Sequence, residues 1–131
     1  MLREAYLALV VFLGAGLGGV LRHGVNRLVP LLIATPFPAS TLLVNVTGSL
    51  VMGLLTGWFT FRGEQAGQEL RLFLTTGILG GFTTFSTFSL DTAVLWERGQ
   101  MLHAAGYALA SVGVSLAAVF AGLALIRALL N

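Results

Sequence analysis

Charge in this chain is confined to short stretches, and between them run four segments that carry none: Ala5–Leu21, Thr41–Phe61, Leu72–Leu90 and Gly99–Ile126. A helix that crosses a bilayer needs ~20 mostly apolar residues, and each run is near or above that length. One such run could be a buried helix of a water-soluble protein. Four of them in 131 residues leave nothing to form a wettable exterior. Composition agrees, because 9% charged residues is far below the ~25% typical of soluble domains. The pattern predicts an all-α membrane protein of four transmembrane helices, with approximate spans 4–28, 41–61, 70–96 and 101–127. The length suits a single unit, 1–131, with no room for a second core. Leu2–Gly19 resembles a signal peptide in hydropathy only; it lacks a convincing cleavage site and reads as a retained first helix.

The connections are short. Pro30, Pro36 and Pro38 mark the first, Arg62–Gln68 the second and Glu97–Gln100 the third. Loops of this size cannot house a catalytic domain, so function must lie within the helices or at their mouths. Seven Arg and no Lys, set against four Glu and one Asp, are too sparse to track a phosphate backbone, and nucleic acid is not expected as a partner. The absence of Cys removes disulfides, thiolate metal sites and cysteine nucleophiles. With no nucleophile–base pair, phosphate loop or paired carboxylates, the chain does not read as an enzyme. Orientation is nearly balanced: Arg3, Arg62, Arg71 and Arg127 fall on one side, Arg22, Arg27 and Arg98 on the other. Such a balance fits either a weak topology signal or insertion in both orientations with antiparallel pairing.

Several of the 17 Gly recur at intervals of four, at Gly14 and Gly18, Gly53 and Gly57, and Gly77 and Gly81. This spacing lets helix backbones approach closely in lipid. Polar residues follow the same interval. Asn45, Ser49 and Gly53 share a face of the second helix, and Tyr107, Ser111 and Ser115 form a hydroxyl ladder on the fourth. An amide such as Asn45 inside a membrane needs a partner, either as a clamp between helices or as a wall of a conduit. In the third helix, Gly80-Gly81-Phe82-Thr83-Thr84, near mid-membrane, is poor material for an uninterrupted helix, and a broken third helix is expected there. A break there frees main-chain polar groups, which lipid does not tolerate unless protein, water or an ion encloses them. The alternative is an intact helix with its hydroxyls bonded back to preceding carbonyls.

Phe82, Phe85 and Phe88 repeat every three residues beside Thr84, Thr87 and Asp91. Periodicity alone favours packing. The positive edge of an aromatic ring could also help hold a partly dehydrated anion, and weak, multi-point binding is what permeation requires. Arg22, at the end of the first span, either snorkels to the interface or raises the anion concentration in a vestibule.

The run Gly80-Gly81-Phe82-Thr83-Thr84-Phe85-Ser86-Thr87-Phe88-Ser89, preceded by Gly18-Gly19-Val20-Leu21-Arg22 and Thr41-Leu42-Leu43-Val44-Asn45-Val46-Thr47-Gly48, resembles the small bacterial fluoride channels of the Fluc/CrcB family over essentially the whole chain. Ser40-Thr41-Leu42 departs from the Gly-Thr-Leu common in that family, a change confined to the turn into the helix. The resemblance implies a multi-pass protein of the bacterial inner membrane. It further implies a dual-topology, antiparallel homodimer that passes fluoride passively through two pores, with identical subunit, fluoride and lipid bilayer as partners. Residue by residue, it implies that Phe85 and Phe88 line the pores with their ring edges and that Asn45 supplies the pore amide. Tyr107, Ser111 and Ser115 supply the hydroxyl track, Thr84 and Thr87 further donors, Arg22 the vestibule charge and Asp91 a hydrogen-bonding support. The carbonyls of Gly80 and Thr83 from both subunits would hold a structural Na+. Two rivals stand beside this reading: a small multidrug-type transporter, which needs a membrane-embedded carboxylate, and an assembly module that moves nothing.

Overall fold

The computed structural model describes every residue from Met1 to Asn131. It is helical, without strands, and four rods are long and apolar enough to cross a membrane. The first is α1 (Leu2–Leu32). The second is α2 (Ala39–Arg62), prolonged by a 3-10 turn at Gly63–Gln65. The third is composite: α3 (Gln68–Leu72), a π-helical stretch (Phe73–Leu79), α4 (Gly80–Phe82) and α5 (Phe85–Glu97). The fourth is α6 (Met101–Leu130). Only 19 of 131 residues are buried, and many large apolar side chains lie on the outside, as suits contact with lipid.

Pro30 does not open the first connection as its sequence context suggests. It lies within α1, in its last turn, where it lacks the N–H that would bond the carbonyl four residues earlier and the helix ends two residues later. The chain leaves the helix at Ile33, and the loop that follows contains Pro36-Phe37-Pro38. Between α5 and α6 the turn depends on Gly99, the one residue with positive φ, at 74°. The amide of Gln100 bonds the Leu95 carbonyl at 2.9 Å and that of Gly99 bonds Trp96 at 2.9 Å, closing the end of α5 with a left-handed glycine.

Glycine sets how the rods pair. A Cβ at Gly14 would stand 2.9 Å from the Cα of Gly77, and one at Gly18 would stand 2.8 Å from the Phe82 amide, so α1 lies backbone to backbone with the π stretch and α4. On the other side, Gly53 admits Val119, Gly57 admits Ile126 and Gly122 admits the backbone of Leu50 and Leu54, which joins α2 to α6. In lipid the hydrophobic drive between helices is absent, and close van der Waals contact of this kind takes its place.

The third rod loses its helical course between α4 and α5. Thr83 (φ −78°, ψ 158°) and Thr84 (φ −153°, ψ 115°) are both extended. Gly48 of α2 makes room for this segment, since a Cβ there would collide with the Thr83 methyl group.

Candidate functional site

The extended pair Thr83–Thr84 forms one wall of a cleft of about 380 Å³ between α2, α5 and α6. Asn45, Gly48, Ser49 and Met52 contribute from α2. Phe85 and Phe88 come from the start of α5, and Ser111, Val112, Ser115, Leu116 and Val119 come from α6. No charged side chain lines it.

Asn45 joins the second helix to the extended segment. Its Oδ1 accepts the Thr84 amide at 2.7 Å and its Nδ2 donates to the Thr84 carbonyl at 3.0 Å. The side-chain amide thus satisfies both main-chain groups of a residue that has left the helical ladder. Without it, the amide and carbonyl of Thr84 would face an apolar interior unpaired. One Nδ2 proton remains beyond the bond to Thr84. Thr84 in turn caps α5: its Oγ1 accepts the Thr87 amide at 3.1 Å and donates to the Thr87 hydroxyl at 3.1 Å. The positive end of the α5 dipole therefore begins at the cleft. Further along the helix the hydroxyls bond back, Ser89 to the Phe85 carbonyl and Thr92 to that of Phe88, both at 2.9 Å.

Across the cleft, Ser111 and Ser115 are the two residues whose buried side-chain polar atoms have no hydrogen-bond partner. Stranding a buried hydroxyl costs roughly 1–3 kcal/mol, and both serines belong to the cleft lining, so each has hydrogen-bonding capacity left beside the cleft. The third member of the ladder is placed differently. Tyr107 is fully buried, lies outside the cleft lining and donates its hydroxyl to Asp91 Oδ2 at 3.0 Å. Its ring backs Phe88 at a centroid distance of 5.4 Å, and Phe88 backs Phe85 at the same distance. Phe85 is 76% exposed, so the cleft opens onto the outer surface of the subunit at this point.

Of the residues singled out in the sequence as pore-lining, Asn45, Thr84, Phe85, Phe88, Ser111 and Ser115 meet in the cleft. Thr87 and Tyr107 stand behind it. Arg22 lies apart from the lining and reaches the Thr83 carbonyl with Nη1 at 3.4 Å. Gly48, Met52 and Val119 carried no signal of their own, because their contribution is to leave space or close it with hydrocarbon. The π-helical stretch was equally unsignalled.

Family comparison now has a geometry to attach to. The family model described as "CrcB-like protein, Camphor Resistance (CrcB)" matches residues 9–123. This chain belongs to the CrcB family. Among curated proteins of the family, the "Fluoride-specific ion channel FluC" of Methylobacterium nodulans is 61% identical over 119 residues, covering 91% of this chain and 94% of that protein. The protein of the same name from Rhodopseudomonas palustris is 56% identical over 121 residues, 92% of this chain and 97% of its own length. "Fluoride-specific ion channel FluC 2" of Nitrobacter hamburgensis is 55% identical over 119 residues, 91% and 95% respectively. The family match runs from within α1 to within α6 and so includes every residue of the cleft.

No group of three or more His, Cys, Asp and Glu side chains that could hold a metal is present in this CrcB-family chain. Gly80 is exposed on the subunit surface, and the Thr84 amide, four residues on, bonds Asn45 in place of the Gly80 carbonyl. The Thr83 carbonyl has two lone pairs, one of them engaged by Arg22.

Proposed function

We propose that the chain is a subunit of a passive, selective fluoride channel of the bacterial membrane, and that the cleft is part of its conduit. The observation that carries this reading is the pair of unpartnered hydroxyls, Ser111 and Ser115, in a cleft without charge. The names of its highly identical relatives supply the identity of the ion. A small anion entering a narrow apolar passage loses water and needs donors in return. Here the donors are the two serine hydroxyls, the remaining Nδ2 proton of Asn45 and the positive edges of Phe85 and Phe88. None is a full positive charge, so the ion is bound at several points without being trapped. The α5 dipole adds a fixed partial positive charge, and Arg22 raises the anion concentration at the approach. Asp91 acts at one remove, holding Tyr107 in place behind Phe88.

The functional unit in this reading is an antiparallel, dual-topology homodimer with one pathway associated with each subunit. The exposed Phe85 and the opening of the cleft at the subunit surface support it, as does the near balance of arginines between the two sides. The Thr83–Thr84 interruption lies mid-membrane in this arrangement. The carbonyls of Gly80 and Thr83 from both copies would hold a structural Na+, which when bound supplies positive charge that fixes the two interruptions to each other. The lack of a carboxylate in the cleft disfavours a multidrug-type transporter coupled to protons.

Efflux from vesicles is the test. Protein reconstituted into liposomes loaded with fluoride should release it on dissipation of the membrane potential, while chloride-loaded liposomes retain their contents. Equal release of both ions would refute the selectivity, and release of neither would favour a non-transporting role.

A further inference from the structure

One aromatic residue of the site arrives from outside the membrane-length helices. Phe37 lies in the loop between α1 and α2, flanked by Pro36 and Pro38. Its ring meets that of Tyr107 edge-on, at 5.4 Å between centroids and 88° between planes. Tyr107 meets Phe88 on its other flank, at 5.4 Å and 46°. The three rings, with Phe85, thus form a continuous file from the loop to the cleft.

The Tyr107 ring is held at three points, by Asp91 at the hydroxyl, by Phe88 and by Phe37. Two of these contacts come from α5 itself. Phe37 alone comes from a different part of the chain, and its backbone is unusually fixed for a loop. Proline on its C-terminal side restricts Phe37 to extended conformations, and each proline locks its own φ. The Phe37 amide donates to Thr35 Oγ1 at 3.2 Å, and its carbonyl accepts the Ala39 amide at 2.7 Å. The side chain closes over the small buried cluster of Leu95, Ala104 and Tyr107. This is a loop built to present one ring in one place.

We propose that Phe37 is a positioning residue for the fluoride path: it fixes the Tyr107 ring, and through it the edge that Phe88 presents to the cleft. The proposal rests on reading the cleft as a conduit, and it adds a control point outside the lining. An aromatic pair contributes through orientation as well as through buried area. The effect of Phe37 on conduction therefore follows ring geometry, and hydrocarbon of similar size does not replace it.

The experiment compares initial fluoride efflux from liposomes for the wild type and for Phe37→Ala, Phe37→Leu and Phe37→Trp. Each variant is checked for wild-type elution and thermal midpoint in detergent. Phe37→Ala and Phe37→Leu should both slow efflux by roughly three- to tenfold, the rate equivalent of one lost aromatic contact, while Phe37→Trp stays within about twofold of wild type. If Phe37→Leu conducts like the wild type, the residue is apolar filler and the proposal is overturned. The same follows if Phe37→Trp is as slow as Phe37→Ala. Should Phe37→Ala prove unstable, the Leu and Trp pair still decides the question, because both retain a large apolar side chain. A wild type that fails to conduct fluoride overturns the underlying conduit reading, an outcome distinct from a conducting wild type whose variants are unaffected.

Discussion

At the scale of single residues, Asn45 carries two duties that pull its substitutions in different directions. Its amide pairs with both main-chain groups of Thr84 and also faces the cleft. Asn45→Ala strands a buried N–H and C=O, at about 1–3 kcal/mol for each group, and should lower the thermal midpoint of the purified protein markedly. Asn45→Asp keeps an acceptor for the Thr84 amide but loses the donor and puts negative charge into an anion path. It should reduce fluoride efflux by at least about tenfold, the equivalent of ~1.4 kcal/mol, with a smaller fall in midpoint than Asn45→Ala. An Asp variant that conducts normally would place Asn45 outside the path and leave it a clamp alone. An amide in an apolar helix is compatible with a clamp or a conduit wall; the geometry shows the clamp, and the same side chain lines the cleft. Tyr107 teaches the converse. Its spacing of four from Ser111 put it on the same face, but spacing says nothing about a carboxylate on a neighbouring helix, and Asp91 takes its hydroxyl.

At the scale of elements, glycine decides how close the rods come. Gly14 and Gly18 face backbone that cannot yield, whereas a Cβ at Gly16 would meet nothing within 4 Å. Gly18→Ala should therefore destabilise the fold by about 1–3 kcal/mol or more through overpacking. Gly16→Ala, on an open face of the same helix, should be neutral or stabilising by up to about 1 kcal/mol through backbone entropy. Thermal midpoints in a single detergent separate the two, and equal effects would contradict the close approach of α1 to the π stretch. These glycine intervals were legible in the chain because a period of four is a property of one helix. The π-helical stretch at Phe73–Leu79 was not legible, since it depends on how the third rod is seated against α1, a relation between elements that no local pattern encodes. Pro30 lies inside α1 rather than in the loop because a proline can be carried in a helix whose packing elsewhere holds it, a condition the neighbouring residues do not reveal.

At the scale of the whole molecule, the four rods follow from where charge is missing, and little more was needed to place them. The site is a different matter. Its polar residues stood out because each is conspicuous in an apolar helix, but the cleft exists only where three rods and an extended dipeptide meet. The cleft is open at Phe85, and the exterior of the chain is largely apolar. The central claim is that an uncharged cleft, donating hydroxyl, amide and ring-edge hydrogens, passes fluoride and rejects larger halides. The most direct measurement is the reversal potential of purified channels in a planar bilayer with fluoride on one side and chloride on the other. The account predicts a potential that tracks the fluoride concentration and ignores chloride; a potential that shifts equally with either ion would contradict it.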